Sequence, residues 1–365
     1  MPDNSYHVVD VFGEERYAGN QLAVVHDASN LSTDEMRAIT RETNFSEATF
    51  VVGEPAVDGT DVRIFDPAEE LPFAGHPTLG TAAVLREFRL DGRPDELTLN
   101  LGVGRIPVWI ERSGDGSGGV NGEREVEADG ETDEGAGNGD ERYWMRQVPP
   151  EFGATVDRSL AARALGLDES ALDDHPVQVV STGLPTLIVP LRDLGAVERA
   201  GTVPDPYEEL IETHGGLNVL AFAPETVADG DLHVRVFADW AGVPEDPATG
   251  SSNGCLAAWL VEHGYDAATD AEGRVDVAVE QGYEMGRPSR LHLRAWRAVD
   301  ADGSDETVDA SATDEAVDAS ATDEAVDATG GTEPSDRAGA DDTDAADVAV
   351  EVGGRVIPVA EGRLL

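Results

Sequence analysis

The stretch "VRIFDPAEELPFAGHPTLGTA" (62–82) returns in altered form as "VRVFADWAGVPEDPATGSSNG" (234–254). Arg63 and Phe65 match Arg235 and Phe237, and His76-Pro77 matches Asp246-Pro247, with two residues fewer in the second connection. Each copy passes from a strand-forming run, through a loop with a polar residue and a proline, into a run of small and apolar residues. Those runs, "TLGTAAVL" and "TGSSNGCLAAWL", carry no charge until Arg86 and Glu262. A helix without a polar face is buried on all sides. The echo therefore predicts an α+β protein of two related lobes, each a set of strands wrapped around one central helix. Two unrelated capped helices would share part of this pattern, because aspartate–proline openings are common; duplication is the reading adopted.

Outward from the two helices the chain alternates short strands with turns. "SYHVVDVF", "NQLAVVHD", "ATFVV" and "DVRIFD" read as strands before the first helix. "LSTDEMRAITRET" reads as a surface helix, with Ser32 and Glu35 at capping-box spacing. "HPVQVVSTG", "LPTLIVPL", "LNVLAFAP" and "DLHVRVFA" precede the second helix, and "VDVAVEQGYEM", "RPSRLHLRAW" and the tail follow it as strands. Two segments do not fit a packed domain. Residues 113–142 are glycine-rich and acidic, and 301–347 contain the tandem "VDASATDEA" at 308–316 and 317–325. Neither buries enough apolar surface to offset chain entropy, so both read as disordered insertions. The nine-residue period lacks strand-forming runs and has too few copies to stack as a solenoid. The resulting division is 1–112 plus 348–365 for the first lobe and 143–300 for the second.

Composition narrows the function. The net charge is −49 over 365 residues, and all 25 basic residues are arginine. Such an excess repels nucleic acid and anionic membranes, whose recognition needs clustered positive charge. It suits a high-salt cytoplasm in which counterions screen self-repulsion, so a halophilic host is expected. A single cysteine, Cys255, excludes a disulfide framework and a cysteine metal cluster, and its place inside the second helix reads as packing. The eight histidines show no metal-ligand spacing. No signal peptide or membrane-spanning run is present in the sequence given, so a soluble cytoplasmic protein is expected.

If a pseudo-two-fold axis relates the lobes, the two helix starts face each other across a cleft. Both present free backbone N–H groups and the positive end of a dipole. Gly75 and Gly250 permit close backbone approach, which suits a small carboxylate. Glu47, His76, Asp246 and Ser251 are the polar side chains able to line that cleft. Glu47 opens the apolar run "ATFVV"; partial burial would raise its pKa toward the working range of a general base. His76 and Asp246 could equally be helix caps, Ser251 could merely satisfy a helix-start N–H, and Glu47 could be one more solvated acid. With no metal ligands and no phosphate loop ("GVGRIP" at 102–107 lacks both relevant patterns), cofactor-free proton transfer at carbon is the chemistry left.

"YAGNQLAVV", "NFSEATFV", "RIFDPAEELPFAGHPTLGTAAVL", "EDPATGSSNGCLAAWL" and "EQGYEMGRPSRL" together resemble the phenazine-biosynthesis PhzF-like family, in the family's order and over nearly the whole chain outside the insertions. The resemblance implies the diaminopimelate epimerase fold, a homodimer, and isomerase chemistry without cofactor or metal. It implies Glu47 as the acid/base. It assigns His76, Asp246, Ser251 and the backbone near Gly75 and Gly250 to substrate binding and proton handling. The two-thiol mechanism of the wider fold is excluded by the single cysteine. Two positions depart from the family pattern: Gln21 stands where proline usually follows "GN", and "GSSNG" where "GSA" is common.

The expected function is isomerisation of a small carboxylated, unsaturated or cyclic metabolite, with one glutamate moving the proton. The alternatives are a non-catalytic dimeric binding or interaction protein on the same fold, and a hydrolase using Ser251; the latter lacks the G-x-S-x-G context. The charge reading predicts that the thermal unfolding midpoint rises with added salt. A midpoint independent of salt would contradict it.

Overall fold

The computed structural model describes residues 4–112, 141–297 and 348–365. The expected insertions lie outside the described residues except for Glu141 and Arg142, which open a strand rather than end a loop.

The first lobe begins with β1 (Ser5–Val11), β2 (Asn20–Val25), the surface helix α1 (Thr33–Thr43), β3 (Glu47–Val51), β4 (Thr60–Phe65) and the short β5 (Glu70–Leu71). The central helix α2 (Gly75–Phe88) follows, then β6 (Glu96–Leu101), β7 (Gly104–Arg112) and β8 (Glu141–Arg146). The second lobe contains β9 (Glu151–Thr155), α3 (Arg158–Ala164), β10 (Gln178–Ser181), β11 (Pro185–Pro190), α4 (Leu194–Arg199), α5 (Pro204–His214), β12 (Asn218–Ala223), β13 (Leu232–Ala238) and β14 (Val243–Asp246). Its central helix α6 (Gly250–His263) leads to β15 (Val275–Gln281), β16 (Ser289–Arg297) and β17 (Val348–Gly354). The last strand, β18 (Val356–Arg363), returns to β1 of the first lobe.

Strand pairing repeats in order and in sense. β1 to β8 pair antiparallel, parallel, antiparallel, parallel, antiparallel and antiparallel, with β5 folded back on β4. β10 to β17 repeat the same six senses, with β14 folded back on β13. β18 flanks β1 as β9 flanks β10. The echo in the sequence also extends to side chains. Arg63 pairs with Glu70 on β5 and lies 5.0 Å over the Phe65 ring. Arg235 pairs with Glu245 on β14 and lies 5.0 Å over the Phe237 ring. Two unrelated capped helices would not share this.

β8 and β17 pair antiparallel and fuse the lobes. β8 packs on α2 and β17 on α6. The division drawn from sequence placed 143–146 in the second lobe and 348–354 in the first, opposite to this packing. The reason is topological: each acidic stretch connects the two strands of a hairpin, β7 to β8 and β16 to β17, at the same point of each repeat, rather than separating lobes.

The central helices are enclosed as their composition requires. Gly75 through Arg86 are buried in α2, and Gly250 through Val261 in α6 apart from Ser251. Gly80 lets β1 and β2 touch α2, since a Cβ there would stand 2.5 Å from Leu22 Cδ2. Helix α1 carries the predicted capping box, with Ser32 N donating to Glu35 and Glu35 N to Ser32 Oγ. The β6–β7 hairpin and the helices α3, α4 and α5 were not read from sequence. Among the described residues no helix is long and apolar enough to cross a membrane.

The charge that ends α2's apolar run is not at the surface. Arg86 is fully buried and grips Glu141 through two bonds of 2.9 and 3.0 Å, with Nε donating to Pro94 O at 2.8 Å. Glu141 is the first residue of β8, so the pair ties that strand to α2. Removing one partner of a buried ion pair costs about 3–5 kcal/mol. Glu141→Ala is expected to lower the urea unfolding free energy by about 3 kcal/mol, and Arg86→Met by less; equal effects near zero would contradict the pair's role.

Candidate active site

α2 and α6 meet start to start. A Cβ on Gly75 would stand 3.5 Å from Gly250 Cα and 3.5 Å from Ser251 N. Only glycine at position 75 allows this approach without displacing Met145. Neither helix has a side-chain cap. The first N–H groups of both are therefore left for a ligand, and two dipole ends of the same sign point into one place.

Glu47 opens β3, opposite Leu22 of β2, and its side chain is 20% exposed. His76 is the second residue of α2 and buried. Glu47 Oε2 and His76 Nε2 stand 3.5 Å apart, and neither atom has a hydrogen-bond partner among the described residues. Buried polar atoms left unpaired are uncommon and call for an explanation; a ligand taking both is the simplest one. Burial pushes the Glu47 carboxyl up to about 7, opposed by a hydrogen bond from Ser46 and aided by the charge of Asp66. Burial also lowers His76 to about 4, so its imidazole is neutral at pH 7.

Asp246 ends β14, across the lobe boundary. Its carboxyl is pushed up to about 6 by burial, opposed by the imidazole of His76 and aided by the Glu47 charge. Asn20, from the first lobe, donates to Asp246 Oδ1 at 2.9 Å and to Ala248 O at 2.9 Å. Thr249 Oγ1 donates to Asp246 Oδ2. A second clamp crosses the same boundary: Arg287 donates to Asp10, Ala18 and Gly19. The motifs around Asn20 and Arg287 thus lock the lobes to each other beside the helix starts.

The structure brings Glu47, Gly75, His76, Asp246, Gly250 and Ser251 to one place. It overturns two finer readings of them. His76 and Asp246 do not cap helices: α2 starts behind Ala74 and α6 behind Thr249. Nor are they equivalent to each other. The helix starts align Gly75 with Gly250, which sets His76 against Ser251; measured to the helix starts the second connection is longer than the first, not shorter, and Asp246 lies on the strand within it. A serine relay is not formed either, because His76 Nε2 faces Glu47 and has no hydrogen bond to Ser251. Cys255 is fully buried beside Thr182 and Leu184, as a packed residue.

Sequence reasoning missed three polar residues of the site: Asn20, Thr249 and Gln281. All lie inside motifs it had quoted, and the signal available was a polar residue at the mouth of an apolar strand or helix. It also missed the counterpart of Glu47. Asn218 opens β12 as Glu47 opens β3, and its amide is held by Ser252 at 3.1 Å and Trp240 at 3.1 Å. The second lobe therefore places a neutral side chain, hydrogen-bonded at both its nitrogen and its oxygen, where the first places a carboxylate.

The raised Glu47 carboxyl has a consequence for stability. Its proton is held more tightly folded than unfolded, so its contribution is present at low pH and is lost as pH rises from about 4.5 through 7. Relative to Glu47→Gln, the wild-type protein is expected to lose about 3 kcal/mol between pH 4.5 and 8 in urea unfolding. A constant difference across that range would show an unshifted carboxyl.

Known proteins resemble this chain along most of its length. The profile of the family described as "Phenazine biosynthesis-like protein" (PhzC-PhzF) matches residues 9–315. An uncharacterised isomerase of Mesorhizobium japonicum is 33% identical over 300 residues, which cover 80% of this chain and 91% of that one. The trans-2,3-dihydro-3-hydroxyanthranilate isomerase of Pseudomonas aeruginosa is 33% identical over 291 residues, 80% of this chain and 90% of its own. A crystal structure of a PhzF-family phenazine biosynthesis protein from Bacillus anthracis superposes with a TM-score of 0.73 at 24% identity, over 100% of both chains, and shows the shared fold.

Proposed function

Since this chain belongs to the PhzC-PhzF, phenazine biosynthesis-like family and is an isomerase, we propose that Glu47 is its single acid/base and that a small carboxylated metabolite is its substrate. The observation that carries this reading is one carboxylate, poised to about 7, whose unpartnered oxygen lies beside two uncapped helix starts. A base working at neutral pH needs a pKa of that order.

The step is a proton transfer without redox change. Glu47, ionised, takes a proton from a carbon of the substrate. The C–H electron pair moves into the conjugated system ending at the carboxylate. The N–H groups near Gly75 and Gly250 hold that carboxylate and the enolate-like charge it gains. Glu47 then gives its proton to a second carbon while the double bond shifts. Neutral His76 stays beside Glu47 without competing for the proton, and Asp246 and Ser251 complete the binding surface. The engaged amide of Asn218 supports a single base, because no titratable group stands at the position equivalent to Glu47, and Asp246 of the second lobe is held by Asn20 and Thr249.

The substrate class named for the P. aeruginosa relative, a cyclic unsaturated amino acid, fits a site of this kind and is a starting probe. In heavy water, the wild-type protein is expected to incorporate deuterium at carbon into trans-2,3-dihydro-3-hydroxyanthranilate or a related unsaturated carboxylate. Glu47→Gln is expected to reduce that rate by about 10³-fold. Exchange by Glu47→Gln at the wild-type rate would overturn the assignment of the base.

A further inference from the structure

We infer that Gln281 is a positioning residue of the site, whose side-chain amide fixes the Thr249 hydroxyl so that its proton is given to Asp246. This rests on the reading of Asp246 as part of the substrate site.

Gln281 ends β15 and is fully buried. Its Oε1 accepts from Asn253 Nδ2 at 2.8 Å and from Thr249 N at 3.2 Å. Two donors converging on one end of the amide identify that end as the oxygen. The nitrogen then faces the other way, donating to Asp246 O at 2.7 Å and to Thr249 Oγ1 at 3.1 Å. A carboxamide has two donor hydrogens and two acceptor lone pairs, and all four are used here. A flipped amide would set donor against donor at Thr249 N and Asn253 Nδ2 and acceptor against acceptor at Asp246 O, and would turn the Thr249 hydroxyl toward Gln281 instead of Asp246.

That fixed orientation sets the direction of the next bond. Thr249 Oγ1 accepts from Gln281, so its own hydrogen is free to point at Asp246 Oδ2, where the contact is made. The chain of donation runs from Gln281 through Thr249 to Asp246. Asn20 supplies the other carboxylate oxygen from the first lobe. Each oxygen of Asp246 therefore receives a hydrogen bond from a different lobe, and both bonds favour the ionised form. The charged and titratable groups around Asp246 are His76 on α2 and Glu47 on β3, while its neighbour Glu245 is already paired with Arg235 of β13. Glu47 disfavours the Asp246 charge, so donation from Thr249 offsets part of that repulsion. Gln281 meets Asp246 directly only at its backbone carbonyl, and it reaches the carboxylate through Thr249.

The test is a carboxyl titration by carbon-13 NMR on aspartate-labelled protein, with the Asp246 signal identified by its loss in Asp246→Asn. Gln281→Leu and Thr249→Val are each expected to raise the Asp246 midpoint by about one unit. The double variant is expected to raise it no further than either single change, and Thr249→Ser to keep the wild-type midpoint. A Gln281→Leu protein with an unmoved midpoint, or shifts that add in the double variant, would overturn the relay. Should Gln281→Leu fail to fold, Thr249→Val decides: an unmoved midpoint there removes the last link. The titration needs no turnover, so its failure and the failure of Glu47 as base are separately visible.

Discussion

Two helices meeting start to start is the constraint on which the site depends. Their dipoles point the same sign of partial charge at one another, and neither start has a side-chain cap to absorb it. The sheets enforce the arrangement, because each helix is enclosed by its own lobe and the lobes are fused through β8 and β17. Gly75 and Gly250 are small enough to let the backbones close. What results is a small electropositive spot built from N–H groups rather than side chains. This matters in a chain of net charge −49, which repels an anion at long range. At about 1 M salt the screening length falls to about 3 Å, and the local dipoles then dominate what an arriving carboxylate meets.

On that symmetrical frame the chemistry is unequal. The repeat preserves pairing order, the Arg–Glu–Phe arrangement and the place at which each lobe carries its acidic stretch. It does not preserve the residue that opens the strand beside each helix. In the first lobe that residue is Glu47, whose burial outweighs the hydrogen bond from Ser46 and keeps its proton affinity high. In the second it is Asn218, tied to Ser252 and Trp240. The lobes share a scaffold, and only one of them presents a carboxylate at this position.

The frame was legible in the sequence because buried helices must lack a polar face, and "TLGTAAVL" and "TGSSNGCLAAWL" show that without any alignment. Arg63-Phe65 and Arg235-Phe237 were legible for a different local reason, the two-residue period that puts both side chains on one face of a strand. His76 and Asp246 were set equivalent because proline follows both, yet β14 lengthens the second connection and moves Asp246 out of the helix start. Strand partners such as β8 with β17 are set by contacts between residues far apart in sequence, which no local pattern carries. Gln281 was hidden for a related reason. Its importance lies in which four atoms it reaches, and those belong to residues 246–253.

The central claim is that burial at this helix junction tunes one carboxyl to neutrality. Direct titration of the Glu47 side chain by carbon-13 NMR, identified by its loss in Glu47→Gln, tests it most closely. The account predicts a midpoint near 7. A midpoint at the ordinary glutamate value of about 4.3 would show a solvated acid, and the junction would then have no poised base.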